Sequence, residues 1–182
     1  MKHPAPSRVF LFMTKSPLIL TLALDEGSFA FFDAKRRRYF APERNLIHAH
    51  LTLFHHLPGD QIKTIQEAIE QKCSVQPRFQ LDVTTLRSLG RGVAYTLQSP
   101  ELADLRRSLA SEWAHWLTPQ DRQKHQPHVT VQNKVDPQKA RALLTELSET
   151  FVPFRAQGIG LDLWWYRGGP WENVCRFSFT HG

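Results

Sequence analysis

Cysteine is nearly absent: Cys73 and Cys175 are the only two in 182 residues, far apart and without metal-ligand spacing. This excludes a disulfide framework and a thiolate zinc site, and it suits a reducing cytoplasm. No apolar run approaches the roughly 20 residues of a membrane-spanning helix. The apolar stretches at residues 8–13 and 18–24 are interrupted by Lys15, Ser16 and Pro17, and no small-x-small cleavage site follows. Residues 1–16 therefore read as an N-terminal extension and not as a signal peptide. Acidic residues are the scarcer charge, 17 against 23 Lys and Arg, for a net charge of +6. That balance fits an anionic partner such as nucleic acid or a nucleotide, and equally a mildly basic soluble protein. Apolar content of 41% over this length supports a core of ordinary size, most naturally one domain over residues 17–182, in two lobes.

What the chain does contain is one short phrase twice, His50-Leu51-Thr52-Leu53 and His128-Val129-Thr130-Val131, 78 positions apart. Random order of 9 His and 12 Thr would give about 0.6 His-x-Thr triplets, so a single copy carries no information. Requiring apolar residues at both remaining positions lowers that expectation to roughly 0.1. In a strand, side chains alternate between faces, so each phrase sets an imidazole beside a hydroxyl on one face and two apolar groups on the other.

Turn and periodicity signals order the rest. Residues 18–24 read as a central strand closed by Asp25-Glu26-Gly27-Ser28. A helix over 29–39 ends in Arg36-Arg37-Arg38, which reads as a solvated end suited to the helix dipole or as a contact for an RNA backbone. The first motif strand covers 49–55, Pro58-Gly59 turns the chain, and Asp60 is the expected cap of a helix burying Ile62, Ile65, Ile69 and Cys73. Strands are predicted at 79–83 and 93–98 around a turn at 89–92. Ser99-Pro100 opens a helix that turns Leu102, Leu105, Leu109, Trp113 and Trp116 inward. The second motif strand spans 128–132, and Asp136-Pro137 starts a helix with Ala140, Leu143, Leu144 and Leu147 on one face. Strands near 154–166 and 173–180 follow. Motif strand, helix, strand, strand thus occurs twice. The order predicts an α+β, bilobal fold with two pseudo-two-fold-related, antiparallel-rich sheets flanking a central groove, helices outside, and one motif on each side.

The phrases, with the lead-in Arg38-Tyr39-Phe40-Ala41-Pro42-Glu43-Arg44-Asn45, the continuation Phe54-His55-His56-Leu57-Pro58-Gly59, the preceding Gln126-Pro127 and the late Leu163-Trp164-Trp165-Tyr166, resemble the two-histidine (2H) phosphoesterase superfamily. Within it the likeness is to the bacterial and archaeal branch called 2'-5' RNA ligase or RNA 2',3'-cyclic phosphodiesterase. It covers roughly residues 18 to 180, with a looser approach at Ile47-His48-Ala49. The resemblance implies His50 and His128 as the catalytic acid–base pair and Thr52 and Thr130 as phosphate-binding groups. It implies a 2',3'-cyclic phosphate on RNA or a nucleotide as substrate, with reversible 2'-5' ligation of such an end to a 5'-hydroxyl as a side activity. No metal, cofactor, membrane or obligate protein partner is expected, and a monomer suffices. The chemistry agrees: two imidazoles near pKa 6.5 can act as base and acid on opposite sides of an in-line phosphorus, while two hydroxyls donate to its non-bridging oxygens.

Rival readings attach to other residues. His48, His50, His55, His56, His125 and His128 crowd together enough for a metal site, but no Asp or Glu stands beside them in a ligand pattern and both threonines would go unexplained. Trp164, Trp165, Tyr166 and Trp171 near Arg167 suit base stacking or core packing. Tyr166 or Arg91 could reach a base or the backbone, and Gly168-Gly169-Pro170 reads as a flexible loop at the groove. An RNA-binding relative without turnover, or an enzyme for another cyclic phosphate or a 2'-5' oligonucleotide, is the alternative in function.

Overall fold

The computed structural model describes residues 16–181; the N-terminal extension expected at 1–16 lies almost wholly outside them. Seven strands occur in the order β1 (Leu18–Leu24), β2 (Leu51–Leu57), β3 (Phe79–Ser88), β4 (Val93–Gln98), β5 (His128–Gln132), β6 (Phe154–Trp165) and β7 (Glu172–Ser178). The helices are α1 (Glu26–Tyr39), α2 (Ile62–Cys73), α3 (Pro100–Glu112), α4 (Pro119–Arg122) and α5 (Pro137–Thr150).

The fold is α+β and antiparallel, as the element order predicts, and the two expected sheets are joined into one. The strand path is β2-β1-β6-β3-β4-β5, with β7 also on β6. Strand β6 is long enough to serve both lobes. Its start pairs with β3 from Phe79↔Gly158 to Val83↔Phe154, and its remainder pairs with β1 from Leu24↔Gly158 to Leu18↔Trp165. Pairing also shows where the repeat begins. The sets β1-α1-β2-α2-β3 and β4-α3-β5-α5-β6 correspond, and each half sends its third strand into the other's sheet: β3 lies beside β4, and β6 beside β1. Helix α4, between α3 and β5, stands where the first half has a 3₁₀ turn over Pro42–Arg44, between α1 and β2.

Local chemistry explains most element ends. Asp25 accepts from the Ser28 N–H at 3.0 Å and starts α1 three residues earlier than periodicity suggests. Ser99 and Asp136 cap α3 and α5, each with proline in the first turn. Asp60 does not cap α2: a short 3₁₀ turn over Gly59–Gln61 intervenes, and Asp60 accepts from the Gln61 side chain instead. Strand β2 begins at Leu51, so His50 stands just before it.

The core is one continuous cluster in which Leu51, Leu53, Val129 and Val131, the apolar partners of both motifs, are at most 1% exposed. At about 1.5–3 kcal/mol for each such side chain, their burial fixes which face of each motif strand turns away from the core. Trp113 is buried against Phe54 at 5.1 Å, as its helical spacing predicts. Both cysteines are free, and burial pushes the Cys73 thiol up to about 12. Among the described residues no helix is long and apolar enough to cross a membrane.

Candidate active site

The two motifs are built alike down to their irregularities. Residues 50–54 and 128–132 share one burial sequence: the histidine partly buried, the next residue buried, the threonine partly buried, the last two buried. Each strand carries a register shift at the same place. Thr21↔Thr52 is followed by Leu20↔Phe54, and Ala94↔Thr130 by Val93↔Gln132. The extra residue, Leu53 or Val131, twists the strand just after the threonine, as bulges do beside functional groups. The two histidines are held alike as well. Nδ1 of His50 donates to the His48 carbonyl and Nδ1 of His128 to the Gln126 carbonyl, each at 2.8 Å. A carbonyl only accepts, so Nδ1 carries the proton in the neutral ring and Nε2 is left for chemistry.

Although β2 and β5 end opposite sides of the strand path, the sheet curls to bring them together. A polar cleft of about 480 Å³ is lined by Thr52, His128 and Thr130 together with His55, Arg87 and His125. His50 is not in that wall; its ring packs against Trp171, with centroids 4.6 Å apart. It still lies within electrostatic range. Burial pulls its pKa down to about 4, its bond to the His48 carbonyl opposes the shift, and the charges of Arg36, His128 and His55 add to it. Burial likewise lowers His128, against its bond to Gln126, with Arg87 and His55 contributing. Both rings are therefore predominantly neutral at pH 7, the form in which Nε2 can take a proton.

Several supporting residues escape sequence reasoning. Arg36, 4% exposed, is neither solvated nor free for RNA. Its Nε donates to the Asn45 side chain at 2.8 Å and to the Ile47 carbonyl at 3.1 Å, and its Nη1 donates to the Thr130 carbonyl at 2.9 Å, with the guanidinium over Phe40. It ties the approach to the first motif to the second motif strand. Arg106 on α3 does the converse, reaching the Leu53 carbonyl at 2.8 Å while stacked on Phe54. His125 closes the set: its Nε2 donates to the Thr52 carbonyl at 2.9 Å, and burial brings its pKa to about 4. The motif strands are thus held through their carbonyls, with the threonine hydroxyls left to the cleft. An arginine amid a basic run carries no mark of burial in the sequence. The one available signal is Phe40, four residues after Arg36 on a helix, where a stack can form.

The crowded histidines do not converge on an ion. His48 lies 3.4 Å from Asp33 and His55 lies 3.0 Å from Asp121, and among the described residues no three His, Cys, Asp or Glu side chains are placed to hold a metal. Of the aromatic group, Trp165 packs on the core and under Arg167, Trp164 donates to the Thr21 hydroxyl at 2.9 Å, and Tyr166 is 43% exposed. The Gly168-Gly169-Pro170 turn, with Gly168 at φ 87°, delivers Trp171 to His50. Arg91 donates to the Val135 carbonyl at 3.1 Å.

A family model described as the 2'-5' RNA ligase superfamily matches residues 24–170. No curated protein sequence matches the chain significantly. Solved structures share the fold. TT0787 of Thermus thermophilus aligns with TM-score 0.65 and 14% identity, covering 91% of this chain and 98% of that one. E. coli LigT complexed with 3'-AMP aligns with TM-score 0.59 and 18% identity, and its complex with NADP+ with 0.60 and 19%, each covering 92% of this chain and 99% of LigT.

Proposed function

The chain belongs to the 2'-5' RNA ligase superfamily, and from that membership we propose that it hydrolyses a 2',3'-cyclic phosphate on RNA or a nucleotide to a 2'-phosphomonoester, without a metal or cofactor. The observation that carries the reading is the duplicated site: two histidines in one tautomer, each two residues before a partly buried threonine and a bulge.

Water attacks phosphorus as the bond to the 3' oxygen breaks. Nε2 of His128 takes the water proton, and Nε2 of His50 returns one to the leaving ribose oxygen. The Thr52 and Thr130 hydroxyls donate to the non-bridging oxygens, whose charge grows in the transition state. Depressed basicity suits this division, because the neutral ring is the base and a bound phosphate favours the proton on the other. With a 5'-hydroxyl in place of water as nucleophile, the same groups make a 2'-5' linkage as the 3' oxygen leaves, although water favours hydrolysis. LigT crystallised with 3'-AMP, NADP+ and ATP supports a nucleotide as the ligand. Residues 17–182 act as one bilobal domain, as a monomer in the cytoplasm.

The test is turnover of 2',3'-cyclic nucleotides and of a short RNA with a 2',3'-cyclic end in excess EDTA, beside His50→Ala and His128→Ala. Phosphomonoester that persists in EDTA and falls about 10²–10⁴-fold in each variant is the expected result. Binding without turnover in the wild type would make the protein a nucleotide-binding relative. Activity lost in EDTA would restore a metal.

A further inference from the structure

One histidine of the cleft is held differently from the rest. His55 Nδ1 donates to the Asp121 carboxylate at 3.0 Å, and the same carboxylate accepts the N–H groups of His55, at 2.9 Å, and His56, at 3.0 Å. Burial alone would raise the Asp121 carboxyl, but the His55 ring and these main-chain donors outweigh it and hold the group below its ordinary range. Asp121 is therefore an anion, 3% exposed and already fully engaged. His55 is the cleft imidazole backed by a carboxylate, whereas His50 and His128 rest on neutral carbonyls. Its Nε2 points away from Asp121, on a half-exposed ring in the wall that holds Thr52 and His128. With Nδ1 held by Asp121, the ring is fixed in orientation and presents its Nε2 edge to the cleft.

The remaining charges of that wall agree in sign. Arg87 and Lys124 line it, Arg87 steadied by the Gln126 side chain at 2.7 Å, and Asp121 is its one acidic member. Arg87 and His55 both act electrostatically on His128, which places them around the reacting group. The carboxylate comes from α4, where Asp121 is buried, whereas the matching 3₁₀ turn of the first half, Pro42–Arg44, buries no residue, so this is where the two-fold likeness of the site ends. A cyclic phosphate alone needs only the symmetric part. A polynucleotide has a direction, and a one-sided cationic wall beside a symmetric phosphate grip gives it one.

We propose that His55, braced by Asp121, forms with Arg87 and Lys124 a second anion subsite. It grips the phosphodiester next to the reacting phosphate, so that the preferred substrate is a polynucleotide end and not a cyclic mononucleotide. The subsite deepens the phosphodiesterase reading above and rests on it for the identity of the reacting phosphate.

The experiment compares a 2',3'-cyclic mononucleotide with a trinucleotide bearing the same end, in the wild type and in His55→Gln, Arg87→Gln and Lys124→Gln, with thermal melting as a check on folding. The expected kcat/KM is about tenfold or more higher for the trinucleotide, a gain of about 1.4 kcal/mol. Each variant should cut that advantage several-fold, and Arg87→Gln and Lys124→Gln should each reduce the salt slope of trinucleotide binding by about one. Equal kcat/KM for both substrates in the wild type, or variants that depress both alike, overturns the subsite. Affinities for a trinucleotide and a mononucleotide carrying a 2'-phosphate give an arm independent of turnover. Tighter trinucleotide binding that the variants abolish, in a protein that turns over neither cyclic substrate, would keep the subsite and reject the phosphodiesterase. Equal affinities would reject the subsite in an active enzyme.

Discussion

Arg36 Nη1 and the Thr130 carbonyl oxygen are 2.9 Å apart, a contact that joins a helix of the first half to the motif strand of the second. The same guanidinium holds Asn45 and Ile47 on the approach to His50, and burial pulls its pKa to about 10, still charged at neutral pH. Replacing Arg36 with Met leaves three acceptors without their donor and should cost about 2–4 kcal/mol in urea unfolding. Lys should recover only part of this, because one ammonium cannot span the fork. The loss of charge should also raise the His50 pKa above about 4 in an NMR titration. A stability unchanged within error would remove the clamp from the account.

Stability should fall as pH drops from about 6.5 toward 4. His50 and His125 have folded pKa values of about 4 against 6.5 for the free side chain, so in that window the unfolded chain binds protons that the fold refuses. Unfolding free energy therefore rises with pH there, by a few kcal/mol for the two together. The depressed carboxyls of Asp33 and Asp121 act in a lower window, losing their contribution as pH falls below about 3.8. Denaturation midpoints from pH 4 to 8, in the wild type and in His125→Gln, measure the first effect. A flat wild-type curve between 4.5 and 6.5 counts against buried neutral imidazoles.

The rate should carry the same signature. A mechanism needing one neutral and one protonated histidine peaks between the two free-enzyme values, and burial moves both below 6.5. The kcat/KM profile for a 2',3'-cyclic substrate should accordingly reach its maximum on the acid side of 6.5 and decline toward pH 8. A maximum at pH 8 would assign the proton transfers to other groups.

Thr52→Val and Thr130→Val keep the shape of the side chain and remove the donor. On the proposed mechanism the hydroxyls act on charge that develops at the transition state, so each variant should lower kcat by about 10²–10³-fold with little change in KM. A rise in KM at constant kcat would mean that they grip the ground state only.

Gly92 gives a purely steric test. A Cβ built there would stand 2.0 Å from the Gln132 carbonyl oxygen and 2.7 Å from Asn133 Cα, both main-chain atoms at the end of the second motif strand. Gly92→Ala should displace that strand and reduce turnover by more than its effect on the melting temperature suggests. Gly90→Ala, where nothing lies within 4 Å and the cost comes from a φ of +77°, should affect stability alone.

The motifs were legible because their information is local: a period of two, apolar partners and a hydroxyl at fixed offset need no knowledge of the rest of the chain. Capped helices such as α3 and α5 were legible for the same reason. Arg36, Arg106, Asp121 and His125 were not, since each acts on a main-chain carbonyl or N–H distant in sequence, and such groups look the same at every position. Sequence order also suggested two facing sheets. Joining them required pairing Phe79–Val83 with Phe154–Gly158, a long-range register that alternation alone does not select.

The exchange of third strands has a consequence for the molecule as a machine. Because β3 completes the sheet of the second half and β6 that of the first, neither half closes its own core, and a cut in the turn at Gly90 should yield two fragments that assemble only with each other. The spacing between His50 and His128 is then set by shared strands and not by a hinge. Strand pairing runs unbroken from the strand of one motif to that of the other, and the first histidine meets Trp171 from the short turn between β6 and β7.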